Sequence, residues 1–315
     1  SWAVDYGGAR KKKPSRFLNE IGMIENDKLL TTNNKLIPNT KCQILNQKTE
    51  IKKWEKNSNN ISSPNYFSYT QLAAFSNCPY QYRFAHILKV PVQGKEIFSF
   101  GKTLHITLQK LFNLINEKSE LKQSVKLAEL LELYSASWID DWYESKEKKE
   151  ERRKQGQEIL TVFYEKHKNN WPTALFLEKG FNIKLADGNS CNTIRGVIDR
   201  IDQIVEENGV NKIKIVDYKT GKPKSELTFD EKEQLFIYQM AAEEIFRQPV
   251  VSLAFYYLDN NTEVEFLGSK SDLIKVKDKV LTTIAEIKKH EFPPKPSILC
   301  KFCDFKDICE FKQNR

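Results

Sequence analysis

The chain has 315 residues, 40% of them hydrophobic and 29% charged, a soluble globular balance with length for one large domain or two modest ones. No run of about 18 apolar residues occurs, and no basic head leads into an apolar stretch, so neither a membrane-spanning helix nor a secretory signal is expected. The formal net charge of +8 favours polyanionic partners, because Lys and Arg release counterions from a phosphate backbone.

Residues 1–25 carry a basic run, Arg10-Lys-Lys-Lys13, directly ahead of Pro14-Ser-Arg-Phe-Leu18. The first residue is Ser rather than Met, which we read as the mark of a fragment of a longer protein. Residues 26–65 are rich in Asn, Lys, Thr and Ser, and read as an irregular linker with too little apolar surface to offset the cost of ordering. Residues 66–315 read as the ordered domain. Its first helix is expected to start with Ser68 as N-cap and to carry Leu72, Phe75, Tyr82 and Phe84. Leu104, Leu108, Leu111, Phe112 and Ile115 fall at helical spacing and define a second helix.

Residues 121–170 are mostly helical in pattern, and the mixed-sign run from Glu144 to Lys154 fits a solvated helix face. Segments 175–185, 193–205 and 212–218 are rich in Ile, Val and Phe. With Asp187-Gly188-Asn189 and Asn208-Gly209 between them, they read as strands joined by hairpins. A helix over 229–247, strands near 251–258 and 262–267, and a helix near 270–290 follow. Helices, then a sheet, then helices make an α/β or α+β domain.

Side chains alternate along a strand, so Asp217 and Lys219 share a face. If the strand carrying Asp199 is the hairpin neighbour, a second carboxylate reaches the same place. Two carboxylates suit Mg²⁺ or Mn²⁺, hard cations that polarise a phosphate and lower the pKa of an attacking water. Alone, such an Asp-x-Lys pair is usually a solvated strand face, and a single histidine such as His105 on an apolar helix is usually a satisfied boundary residue. Arg200 and Asp202 read as a strand-end salt bridge. Gly101-Lys102-Thr103 is not a phosphate-binding loop, since the glycine it needs upstream is Glu96.

The order of several motifs changes that reading. Ser68-Tyr-Thr-Gln-Leu72 leading to Cys78-Pro-Tyr, then Gly101-Lys-Thr-Leu-His105, Gly196-Val-Ile-Asp199, Asp217-Tyr-Lys219-Thr-Gly221 and Gln234-Leu-Phe-Ile-Tyr238 come in sequence before a cysteine tail. The set resembles the PD-(D/E)XK nuclease superfamily in its RecB and AddB branch. The resemblance implies a restriction-endonuclease-like mixed central sheet flanked by helices, with a helical N-terminal part and a cysteine-ligated cluster joining the two ends. It also implies a metal-dependent nuclease acting on DNA single strands or ends in recombination and repair. Asp199, Asp217 and His105 would be metal ligands, Lys219 the catalytic lysine, and Gln234 and Tyr238 supports of the site or the DNA. Glu178 stands where the family often has a further acid.

The tail Cys300-x2-Cys303-x5-Cys309 puts three of the six cysteines in the last sixteen residues, a clustering that suggests metal ligation in a reducing cytoplasm. With Cys78 as fourth ligand, four thiolates can hold a [4Fe–4S] cluster or a structural Zn²⁺, and the resemblance points to the cluster. Cys42 in the linker and Cys191 in a turn read as free thiols. The N-terminal stretch ending at Ile21 resembles the end of a UvrD-type superfamily 1 helicase, whose motor would lie upstream in the same chain. Two other readings stay open: a catalytically silent DNA-binding module, and a zinc-stabilised interaction domain.

Overall fold

The computed structural model describes residues 64–312 except 189, 206–210 and 225, so the expected helicase remnant at 1–25, the linker up to residue 63 and Cys42 lie outside the described residues. All that follows concerns the described residues, which fall within the unit Pro38–Arg315.

Helix α1, Tyr69–Asn77, starts with a reciprocal cap: the Gln71 amide donates to Ser68 Oγ at 3.3 Å, and the Ser68 amide donates to Gln71 Oε1 at 2.8 Å. The helix does not continue to Phe84 as its apolar residues suggested. Cys78 is extended at φ −160°, because a following proline disfavours the helical conformation for the residue before it. Pro79 then opens a short helix α2, Pro79–Tyr82, which runs into a π-helical turn, Arg83–Ile87.

Helix α3, Glu96–Glu120, buries the predicted stripe of Leu104, Leu108, Leu111, Phe112 and Ile115. Gly101-Lys102-Thr103 lies inside this helix rather than between a strand and a helix. Helices α4, Leu127–Ser137, and α5, Lys146–His167, follow. In α5 the charged run meets solvent while Ile159, Leu160 and Phe163 are buried.

Five strands form one mixed sheet in the order β1-β2-β3-β4-β5: Ala174–Asp187, Ser190–Val205, Asn211–Lys219, Val250–Tyr257 and Thr262–Phe266. All neighbours are antiparallel except β3 and β4, which are parallel and joined through helix α6, Phe229–Phe246. Gly188, left-handed at φ 53°, turns the β1–β2 hairpin. Helix α7, Lys270–Lys288, and a 3-10 turn, Ile298–Phe302, complete the described elements.

Strand alternation divides the core between the two faces of the sheet. Ile213, Ile215, Leu253 and Phe255 pack with residues of α1, α6 and α7, whereas Val216, Tyr218, Ala254 and Tyr256 pack with those of α3, α4 and α5. Each fully buried aliphatic side chain contributes about 1.5–3 kcal/mol, so the helices on both faces are anchored to the strands that carry Asp199 and Asp217. No described helix is long and apolar enough to cross a membrane.

Candidate active site and cysteine cluster

On β3, Asp217 and Lys219 follow the parity of Ile213 and Ile215, toward the face covered by α6. Lys219 Nζ lies 2.8 Å from Asp217 Oδ2, an ion pair whose carboxylate is buried. Gln234, in the second turn of α6, joins the two. Its Nε2 donates to Asp217 Oδ1 at 2.8 Å and to the Tyr238 hydroxyl at 2.9 Å, while its Oε1 accepts from Lys219 Nζ at 2.8 Å. Tyr238 is one helical turn further on, so the motif spacing brings amide and phenol together.

Strand β2 kinks where Asp199 sits. Ile194, Ile198 and Ile201 all join the same core, and the step of three from 198 to 201 breaks the period of two. Pairing with β3 begins only at Arg200, opposite Val216, and the Tyr218 amide donates instead to Asp199 Oδ2 at 2.8 Å. On β1, Leu177 pairs with Arg200 and Lys179 with Ile198, which leaves Glu178 opposite Asp199. Glu178 holds a left-handed backbone at φ 47°, a conformation that costs a non-glycine residue about 1–2 kcal/mol. One ligand atom each from His105, Glu178 and Asp199 lie within 4.8 Å of one another. Among the described residues this is the only such set of three, and Asp217 is not a member.

The charges interact strongly. Burial alone would lower the His105 pKa, but the hydrogen bond and charge of Asp199, with the charges of Asp217 and Glu178, raise it to about 9. Burial and then the Asp199 charge push the Asp217 carboxyl up to about 6, against the pull of Lys219. Three carboxylates and an imidazole gathered here make a donor set of oxygen and nitrogen suited to a hard divalent cation, which would displace the His105 proton.

Arg200 and Asp202 do form a salt bridge, with Nε 2.8 Å from Oδ1, but not at a strand end: both are nearly fully buried. Strand β2 runs on to Val205, and Phe112 covers the guanidinium at 4.5 Å from its ring centre. Arg200 Nη1 also donates to the Tyr218 hydroxyl at 2.5 Å, and His105 meets the Tyr218 ring edge-on at 5.7 Å. Tyr218 thus ties Asp199, His105 and the buried pair together, a support that the sequence signalled only as Asp-Arg-Ile-Asp.

Cys78, Cys300, Cys303 and Cys309 are unbridged, half-buried and line one cavity with Tyr80, Phe84 and Phe305. The Lys295 amide donates to Cys78 Sγ and the Ser297 amide to Cys300 Sγ, each at 3.4 Å. Burial raises the Cys303 pKa, and the nearby sulfurs of Cys309 and Cys78 raise it further. Cys191 departs from expectation. It lies in β2 rather than in a turn and is disulfide-bonded rather than free.

Comparison with solved structures finds SSO0001 at 19% identity and TM-score 0.38, covering 86% of this chain and 96% of that one. It also finds a candidate exonuclease from Eubacterium rectale at 13% identity and TM-score 0.45, covering 80% and 91%. No curated protein sequence matches the chain. The profile of one family does, over residues 66–310. That span runs from the capped first helix, through the Asp-x-Lys strand, to the cysteine tail, and the chain belongs to the PD-(D/E)XK nuclease superfamily.

Proposed function

We propose that the chain is a divalent-metal-dependent deoxyribonuclease of the RecB and AddB type, acting on single strands or DNA ends. The observation that carries this reading is the meeting of His105, Glu178 and Asp199 beside an Asp217–Lys219 pair that Gln234 holds in place. Asp199, Asp217 and His105 are the proposed Mg²⁺ or Mn²⁺ ligands, with Glu178 close enough to join them. A cation held there supplies positive charge to the scissile phosphate and acidifies water. Lys219, fixed by Asp217 and Gln234, orients the attacking water and stabilises charge growing on the phosphate oxygens. Tyr238 holds Gln234, and so acts on the lysine from one step behind.

Cys78, Cys300, Cys303 and Cys309 are the proposed ligands of a [4Fe–4S] cluster that staples α1 to the C-terminal tail. Backbone amides donate to two of these sulfurs, as they do to cluster thiolates, and the family resemblance favours the cluster over zinc. The basic stretch ending in Pro14-Ser-Arg-Phe-Leu18 supports a place at the end of a helicase–nuclease chain that works in recombination and repair.

The test is cleavage of end-labelled single- and double-stranded DNA with Mg²⁺ or Mn²⁺, using anaerobically purified wild type and Lys219→Ala. Metal-dependent cutting by the wild type that falls at least a hundredfold in the variant is expected. DNA binding without cutting by a folded, cluster-loaded wild type would overturn the enzyme reading in favour of a silent binding module.

A further inference from the structure

One face of α3 leads away from the candidate metal site. Phe98, Lys102, His105 and Gln109 are spaced four, three and four residues apart, which sets them on a single helix stripe. The opposite face, with Phe100, Thr103, Leu104 and Thr107, is buried. Toward its N-terminal end the stripe is open: Lys102 is exposed, and Phe98 is 63% exposed although nothing in the fold requires an apolar group there. At about 1.5 Å of rise per residue, Phe98 stands about 10 Å along the helix from His105. Lys102 lies between them and makes no ion pair with any described residue, whereas the neighbouring Lys95 is paired with Asp304 and Lys224 with Glu231.

A second aromatic ring is presented at the same end of the helix. Trp142 has a left-handed backbone at φ 68°, an outlier for so bulky a residue, and is 55% exposed. The ring lies on Gly94, where a Cβ would come within 2.4 Å of it, so the glycine is what lets the indole settle there. Backbone strain maintained to expose a ring is a reason to look for what the ring meets.

We propose that this stripe guides a single DNA strand to the cut site, with an unpaired base stacked on Phe98 and the phosphate beside it held by Lys102. The inference rests on the nuclease reading of the His105 site and adds the residues that would take an unpaired strand toward it. In a duplex both faces of each base are already stacked on neighbours, so an isolated ring beside a free cation recognises bases of an unpaired strand. A phosphate on Lys102 is then one helical turn short of His105.

The experiment measures binding of fluorescein-labelled oligo(dT), and of the same backbone carrying abasic residues, to the full chain in an Asp217→Asn background, so that cleavage does not intervene. Phe98→Ala should weaken oligo(dT) binding by about 5- to 150-fold and abasic binding by less than about twofold, and Phe98→Trp should restore the former. Lys102→Ala should weaken both probes alike and lower the salt dependence by about one ion. Equal losses on both probes for Phe98→Ala, or no loss on oligo(dT), would overturn the proposal. A nuclease active on both strand forms whose single-strand binding ignores Phe98 would sink this inference alone. Strong Phe98-dependent binding by a wild type that never cuts would instead sink the catalytic reading and leave the stripe intact.

Discussion

Gln234 is the residue whose removal most sharply separates a positioned site from a mere collection of charges. Gln234→Ala takes away two donated hydrogen bonds, to Asp217 Oδ1 and to the Tyr238 hydroxyl, and the acceptor that holds Lys219 Nζ. Asp217 then loses a donor while still buried, and the lysine keeps its ion pair with Asp217 and its place over the Phe255 ring. Outer partners of metal ligands are worth about 10- to 100-fold in affinity or activity, equivalent to about 1.4–2.7 kcal/mol of barrier. Initial rates of single-strand cleavage at saturating Mg²⁺ should fall by that factor, with a parallel loss in a Mn²⁺ titration. Gln234→Glu keeps an acceptor for the lysine but puts a second negative charge beside Asp217, so it should fall at least as far. A Gln234→Ala rate within about twofold of wild type would refute the reasoning, since the clamp would then have no bearing on Lys219.

Asp202→Ala leaves Arg200 buried and unpaired, and should cost about 3–5 kcal/mol in a urea titration. A loss below about 1 kcal/mol would show that water reaches the guanidinium. Cys303→Ser should remove the brown absorbance of the anaerobic protein and lower its melting temperature; an unchanged spectrum would exclude the proposed ligand. His167 is held neutral by burial and then by the Arg200 charge, its pKa lowered to about 4 from 6.5. With the folded pKa depressed, the unfolded chain takes up the proton first, so stability present above about pH 6.5 is lost as pH falls toward 4. After discounting for partial exposure, wild type should lose about 1–2 kcal/mol more than His167→Gln over that window. Parallel pH profiles would contradict this.

Much of the fold was legible because its periods are strong. The 3.6-residue stripe of Leu104, Leu108 and Leu111 and the alternation through Ile213, Ile215 and Asp217 each have one packing solution, and both formed as expected. The break at Cys78 was also written in the sequence, in the proline that follows it, but was missed because apolar spacing ran through it. Other features could not be read locally. The place of Glu178 in the compact set depends on a left-handed residue in mid-strand and on a partner strand twenty residues away, and no propensity favours that backbone for glutamate. The burial of Arg200 likewise depends on Phe112, supplied by a helix on the far face of the sheet. Motif order placed Asp199, Asp217 and Lys219 together; only tertiary structure separated the set of His105, Glu178 and Asp199 from the clamped pair beside it.

The central claim is that His105, Glu178, Asp199 and Asp217 hold the cation that makes the chain a nuclease. The most direct measurement compares wild type with Asp217→Asn for Mn²⁺-dependent cleavage of labelled single-stranded DNA, while the melting temperature and the brown absorbance of the same samples are followed. The account predicts that cleavage disappears in the variant while fold and chromophore remain. Cutting at the wild-type rate by a folded Asp217→Asn protein would contradict it.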